Sequence, residues 1–160
     1  MKQFIFTALL ALFFLSHNSF AAFEQAPDID LPCIDGNVKL AELKGKVVYL
    51  DFWASWCVPC KKSFPWLRDI KQSYADKGFE VVAVNLDKDR KLADAFLKEV
   101  DVNFVVAFDE SGESASSYKL KGMPSSFLID RDGKLYASHI GFREKDKNKL
   151  EQAIKELLAK

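Results

Sequence analysis

The sequence predicts an α/β domain: a central mixed sheet flanked by helices. Three observations carry that prediction. Val47 to Ala54 and Phe79 to Leu86 are β-branched and aromatic runs that read as buried strands. Between them, Phe64, Leu67, Ile70 and Tyr74 recur at helical spacing, and Leu150, Ala153, Ile154, Leu157 and Leu158 make a second apolar face near the end of the chain. The 160 residues suffice for one domain with a substantial core, and no internal repeat, linker or low-complexity stretch divides them.

Lys and Arg together number 23, as do Asp and Glu, so no basic surplus points to nucleic acid or an anionic membrane surface. The first residues have the composition of a secretory signal. Lys2 supplies a short positive start, Phe4 to Leu15 is almost wholly apolar, and Ser19-Phe20-Ala21 places small residues at a cleavage site after Ala21. Those twelve residues fall short of the roughly 20 that a spanning helix requires. The expected division is therefore a leader over 1–21 and a folded domain over 22–160. Its removal leaves a net charge of −1 and a soluble protein outside the cytoplasm, in the periplasm, where disulfides persist.

In order, residues 22–32 are expected to run extended, because Pro27 and Pro32 oppose helix. Ile34-Asp35-Gly36-Asn37-Val38 signals a small hairpin. Leu40 to Leu43 predicts one helical turn before Gly45. The helix after Cys57 should reach about Lys77 and end at Gly78, tolerating Pro59 in its first turn and kinking at Pro65. Leu92, Ala93, Phe96, Leu97 and Val100 predict a second helix, Phe104 to Phe108 a third strand, and Glu113 to Leu120 a short helix. Ser126–Asp130 and Leu135–Ile140 form an expected hairpin around Asp132-Gly133. The charged run Arg143 to Lys149 opens the last helix on its solvated side.

Three cysteines are present, Cys33, Cys57 and Cys60, an odd count that argues against a structural disulfide framework. Cys57 and Cys60 sit where a strand gives way to a helix. The first turn of a helix offers free N–H groups and the positive end of the macrodipole, which favour thiolate over thiol. Cys57, partly exposed at the helix start, is therefore the expected nucleophile, and Cys60, one turn deeper, the expected resolving thiol. Side chains three apart on a helix lie close enough for a disulfide to open and close with little rearrangement. A structural disulfide closing so short a loop stabilises little. A zinc site would need two further ligands, for which the mature chain offers Cys33 and His139 alone. Cys33 is expected to be a small buried hydrophobe and His139 a structural residue in a strand.

Val47-Val48-Tyr49-Leu50-Asp51-Phe52-Trp53-Ala54-Ser55-Trp56-Cys57-Val58-Pro59-Cys60, with Phe64-Pro65 behind it, resembles the thioredoxin superfamily, and within it the extracytoplasmic thiol:disulfide oxidoreductases of the TlpA/ResA/DsbE type. Gly122-Met123-Pro124-Ser125-Ser126-Phe127-Leu128-Ile129-Asp130, the entry segment from Ala26-Pro27 to Lys46, and the region of Gly141 are similar as well. The resemblance implies a thioredoxin-like fold with an N-terminal hairpin extension and a central αβ insertion. It implies a Cys57–Cys60 redox disulfide and a cis peptide bond before Pro124. It places Trp56, Val58, Pro59, Met123, Pro124 and Gly141 around a docking surface, with Phe142 balanced between docking and packing. Asp51, six residues before Cys57, matches the buried acid that assists the second cysteine; burial would raise its pKa toward the range useful for proton transfer. Two positions depart from the pattern: Ser63 stands where ResA-like reductases usually carry a glutamate, and Ala83 where thioredoxin carries a lysine.

The function so implied is a periplasmic thiol:disulfide oxidoreductase that reduces disulfides in exported proteins, with a possible place in cytochrome c maturation. It needs no cofactor or metal, acts as a monomer, and is recharged by a membrane electron-transfer protein. Two alternatives on the same fold are a peroxiredoxin-like enzyme and a copper-binding assembly factor. The first does not need a Cys-x-x-Cys pair, and the second favours a wider cysteine spacing with a histidine.

Overall fold

A computed structural model describes residues 24–160; the leader expected over residues 1–21 lies outside them. The sheet grows outward from β3 (Val47–Trp53), buried along its whole length. β4 (Phe79–Asn85) lies parallel to it from Val47↔Phe79 to Trp53↔Asn85. A parallel pair needs a long crossover, which here is α1 (Val58–Tyr74). α2 (Arg90–Leu97) likewise carries the chain from β4 to the parallel strand β5 (Val105–Phe108). On the other side of β3, β6 (Ser125–Ile129) runs antiparallel and pairs with β7 (Leu135–Ile140). The hairpin of β1 (Asp30–Cys33) and β2 (Gly36–Lys39) joins the edge of β5 through Cys33↔Ala107. The order across the sheet is β2-β1-β5-β4-β3-β6-β7. α3 (Glu113–Ser117) and α4 (Lys147–Leu158) complete the fold.

Alternation along β3 divides the core. Val47, Tyr49 and Trp53 face α1 and α4, packing with Phe64, Leu67, Ile70, Ile154 and Leu157. Val48, Leu50 and Phe52 face the other way, against Ile29, Leu40 and Tyr118. Phe64 is the keystone of the first cluster, with edge-to-face contacts to Trp53 (4.9 Å), Phe96 (5.0 Å) and Phe104 (5.5 Å). Phe64→Ala is expected to cost about 3–5 kcal/mol in urea unfolding, with an unchanged m-value. A loss below about 1 kcal/mol would show that the cluster collapses to refill the site.

Several element limits differ from the sequence prediction. α1 ends at Tyr74, and a 3-10 turn over Ala75–Lys77 leads to Gly78, whose φ of 77° only glycine adopts freely. The helix runs on through Pro65, which lies on the solvent side where water can satisfy the carbonyl that loses its donor. α2 stops at Leu97, so Val100 packs on the core from the following loop, and Leu92 is half exposed, one step off the buried line of Ala93 and Phe96. α3 is cut short before Lys119, whose φ of 52° leaves the helical region.

Candidate active site

Cys57 caps α1. Its backbone is extended (φ −82°, ψ 100°), and its sulfur accepts a hydrogen bond from the Cys60 N–H at 3.3 Å. The chain turns there because Cys57 N bonds back to Ala54 O at 3.0 Å, while Val58 and Pro59 occupy the first turn, where a missing N–H costs nothing. Cys57 and Cys60 are joined in a disulfide with their Cα atoms 5.3 Å apart, within the ordinary span. The Cys60 N–H and the N-terminal end of α1 both lie against the Cys57 sulfur, an arrangement that stabilises negative charge.

Cys57 is not partly exposed, as its place at the helix start suggests; it is 3% exposed and Cys60 is fully buried. The bond to Cys60 draws both sulfurs into the cluster of Trp53 and Phe64. Exposure passes to the neighbours instead: Trp56 is 68% and Val58 64% exposed. Pro59 is also at the surface, and Met123 is half-buried.

Topology brings the distant block to the same place. β6 is antiparallel to β3, with Phe52↔Ser125, so the start of β6 stands at the end of β3 that leads into the cysteines. The end of β7 joins it through Ser125↔Ile140. The Met123–Pro124 peptide bond is cis, and Pro124 O accepts the Gly141 N–H at 2.7 Å. Phe142 is buried and stacks on Trp66 at 5.5 Å, so packing holds it away from any docking surface.

Asp51 lies on the face of β3 that carries Tyr49 and Trp53, the face covered by α1 and Cys60. It is 2% exposed, and its Oδ2 has no hydrogen-bond partner among the described residues. Its paired neighbours are Ala83 and Ser126, neither of which carries a charge. Burial therefore pushes its pKa well above the usual carboxylate range. Burial, and next the charge of Asp51, likewise raise that of Tyr49. Ser63 is buried and donates to Cys60 O at 3.0 Å, leaving this position neutral.

A clamp at this end of the sheet escapes the sequence reading. Buried Asp87 accepts from Ser55 N (2.9 Å), Ser55 Oγ (3.0 Å) and Asn85 Nδ2 (2.7 Å), and so fixes the turn that carries Trp56. The signal for it is present: Asn85 ends β4, whose run from Val81 to Val84 is apolar, and Asp87 follows two residues later. Cys33 is half-buried rather than buried, at the single residue pair by which β1 meets β5. It borders a groove of about 720 Å³ that extends toward the starts of β4 and β5. Among the described residues, no group of three or more His, Cys, Asp or Glu is placed to hold a metal ion.

The Redoxin family matches residues 21–154. The chain belongs to that family. It is 36% identical over 135 residues to the thiol-disulfide oxidoreductase ResA of Bacillus thuringiensis subsp. konkukian, covering 84% of this chain and 77% of the relative. Bacillus subtilis ResA is 35% identical over 123 residues, covering 76% and 69%. A crystal structure from Chlorobium tepidum, provisionally assigned as thiol:disulfide interchange protein DsbE, superposes with a TM-score of 0.84 at 53% identity, covering 85% of this chain and 96% of its own. This Redoxin member is thus a thioredoxin-like thiol-disulfide oxidoreductase of the ResA/DsbE type.

Proposed function

We propose that this enzyme works outside the cytoplasm as a reductant of disulfides in exported proteins. The observation that carries the reading is the helix-capping Cys57–Cys60 pair on the sheet face that also buries the uncompensated Asp51. In the reduced enzyme, Cys57 thiolate attacks a substrate disulfide and forms a mixed disulfide. Cys60 gives its proton to Asp51 and attacks the Cys57 sulfur, which releases the substrate dithiol and restores the Cys57–Cys60 bond. Trp56, Val58, Pro59, Met123, Pro124 and Gly141 line the docking surface, where an extended substrate segment pairs with the Met123 backbone.

The location follows from the predicted leader, cleaved after Ala21 to leave 22–160; among the described residues, no helix is long and apolar enough to cross a membrane. The domain acts as a monomer, and a membrane electron-transfer protein returns it to the dithiol form. Potentials among thioredoxin-like proteins span about 150 mV, or roughly 7 kcal/mol for two electrons. Asp51 assists proton transfer at Cys60 in either direction, and the potential sets which way the cycle runs. Disulfides of apocytochrome c are one substrate class of this kind.

The test is capture. Cys60→Ala should accumulate mixed disulfides at Cys57 in the periplasm, released by dithiothreitol and absent from the Cys57→Ser/Cys60→Ala double variant. Failure of the single variant to trap any protein would sink the reading.

A further inference from the structure

A buried carboxyl with no compensating charge resists ionisation, so before Asp51 can take the Cys60 proton it must lose its own to solvent. The surroundings of Asp51 restrict the route. Toward β4 its neighbour is Ala83. From α1 the titratable groups are the cysteines themselves, and Ser63 is engaged with Cys60 O. From its own strand there is Tyr49, whose ionisation burial suppresses.

Polar groups continue in one direction, across the sheet. Asp51 on β3 is paired with Ser126 on β6, and Ser126 with His139 on β7. Side chains directly opposite on adjacent strands share a face, so the three form a row under α1 and α4. Tyr49 Oη donates to Ser126 Oγ at 2.8 Å in the core, which leaves the hydroxyl proton of Ser126 free for another acceptor. Beyond Ser126 lies a cavity of about 170 Å³ lined by Tyr49, Ser126, His139, Lys149, Leu150 and Ala153, with room for more than one water. His139 Nε2 is 3.5 Å from Asp146 Oδ2, close enough to pair electrostatically without the alignment of a hydrogen bond. Arg143 holds Asp146 through Nε (2.8 Å) and Nη2 (3.3 Å). The row thus starts at a fully desolvated carboxyl and ends at side chains that touch solvent, His139 at 22% and Asp146 at 13% exposure. Asp51 Oδ2 and His139 Nε2, its two ends, are buried polar atoms without a hydrogen bond to protein.

We propose that Ser126 and His139 form a proton exit that links Asp51 to solvent at the His139–Asp146–Arg143 corner. The proposal rests on the reading of Asp51 as the base for Cys60. As the Cys60 sulfur attacks Cys57, the Cys57–substrate bond breaks, the substrate leaves as thiolate, and the Cys60 proton passes to the Asp51 carboxylate. To become that carboxylate, Asp51 gives its proton to Ser126, the residue opposite it on β6, as Ser126 passes its own hydroxyl proton through cavity water to the His139 imidazole. The net transfer is one proton from Cys60 to solvent, with no change of oxidation state along the row. Ser126 and His139 touch neither substrate nor sulfur; they act through Asp51.

The experiment follows single-turnover oxidation of the reduced protein by a peptide disulfide at low buffer concentration, in H₂O and D₂O. Ser126→Ala and His139→Ala are each expected to slow the resolving phase about three- to ten-fold and to enlarge its solvent isotope effect. Added imidazole should restore the His139→Ala rate, and Ser126→Thr, which keeps the hydroxyl, should retain the wild-type rate. Wild-type rates in both alanine variants, with Asp51→Asn still slow, would overturn the exit and leave the role of Asp51 standing. A wild-type rate in Asp51→Asn would remove the reading beneath it. If Ser126→Thr proved as slow as Ser126→Ala, the exit would also be overturned, because Ser126 would then have a packing role.

Discussion

Cys57→Ser is expected to lower disulfide reduction by about three orders of magnitude or more, because a hydroxyl at this position is neither ionised nor nucleophilic near neutral pH. No other thiol is placed to take over. Cys60 is fully buried, and Cys33 lies on β1, with β5 and β4 between it and β3. The fold should survive. Serine is itself a favoured helix cap, and its oxygen can accept the Cys60 N–H that the sulfur accepts now. The lost disulfide closes so short a loop that its entropic contribution is small. Thiol release from a peptide disulfide measures the activity, and thermal unfolding checks the fold. Retention of more than about one-tenth of the activity in a folded variant would refute Cys57 as the attacking group.

Asp51→Asn is expected to have two effects that share one cause. Burial raises the pKa of Asp51, so the folded chain holds this proton more tightly than the unfolded chain does. The associated stability is complete below the ordinary carboxylate range and is lost as pH rises through the raised pKa. Between those limits the slope is at most about 1.4 kcal/mol per pH unit. Asparagine removes the charge and with it the slope, so the variant should be more stable than the wild type on the alkaline side. The resolving step should slow about a hundred-fold and lose its dependence on the titration of this acid. Urea unfolding across pH and single-turnover kinetics read the two effects separately. Parallel stability curves for wild type and variant would mean that the carboxyl is solvated in solution.

Much of the fold is legible in the residues. The strands around Val47–Trp53 and Phe79–Asn85 declare themselves because both faces are buried, so their composition is apolar almost without interruption. The α1 helix declares itself through its stripe and Gly78. Leu92 misleads because a helix of eight residues buries only a narrow line, and an apolar residue one step aside is left in water. The exposure of Cys57 misleads for a different reason. Helix position fixes where the Cα lies, but the bond to Cys60 decides where the sulfur goes. The Asp87–Asn85–Ser55 clamp spans 32 residues of sequence, and no local spacing announces such a contact.

The sequence by itself determined the chemistry of this protein. Two thiols three residues apart at a strand-to-helix junction can close a disulfide with little rearrangement, and the N–H groups and dipole that act on them belong to the helix end. It also determined that Asp51 would be buried, since every neighbour along the strand is apolar or aromatic. The tertiary structure alone decided what faces Asp51. Strand registers are set by pairing between segments far apart in the chain, and they place Ala83 on one side and Ser126, then His139, on the other. A slip of one residue would turn each of those side chains to the opposite face, so the row exists through the pairing and not through any motif.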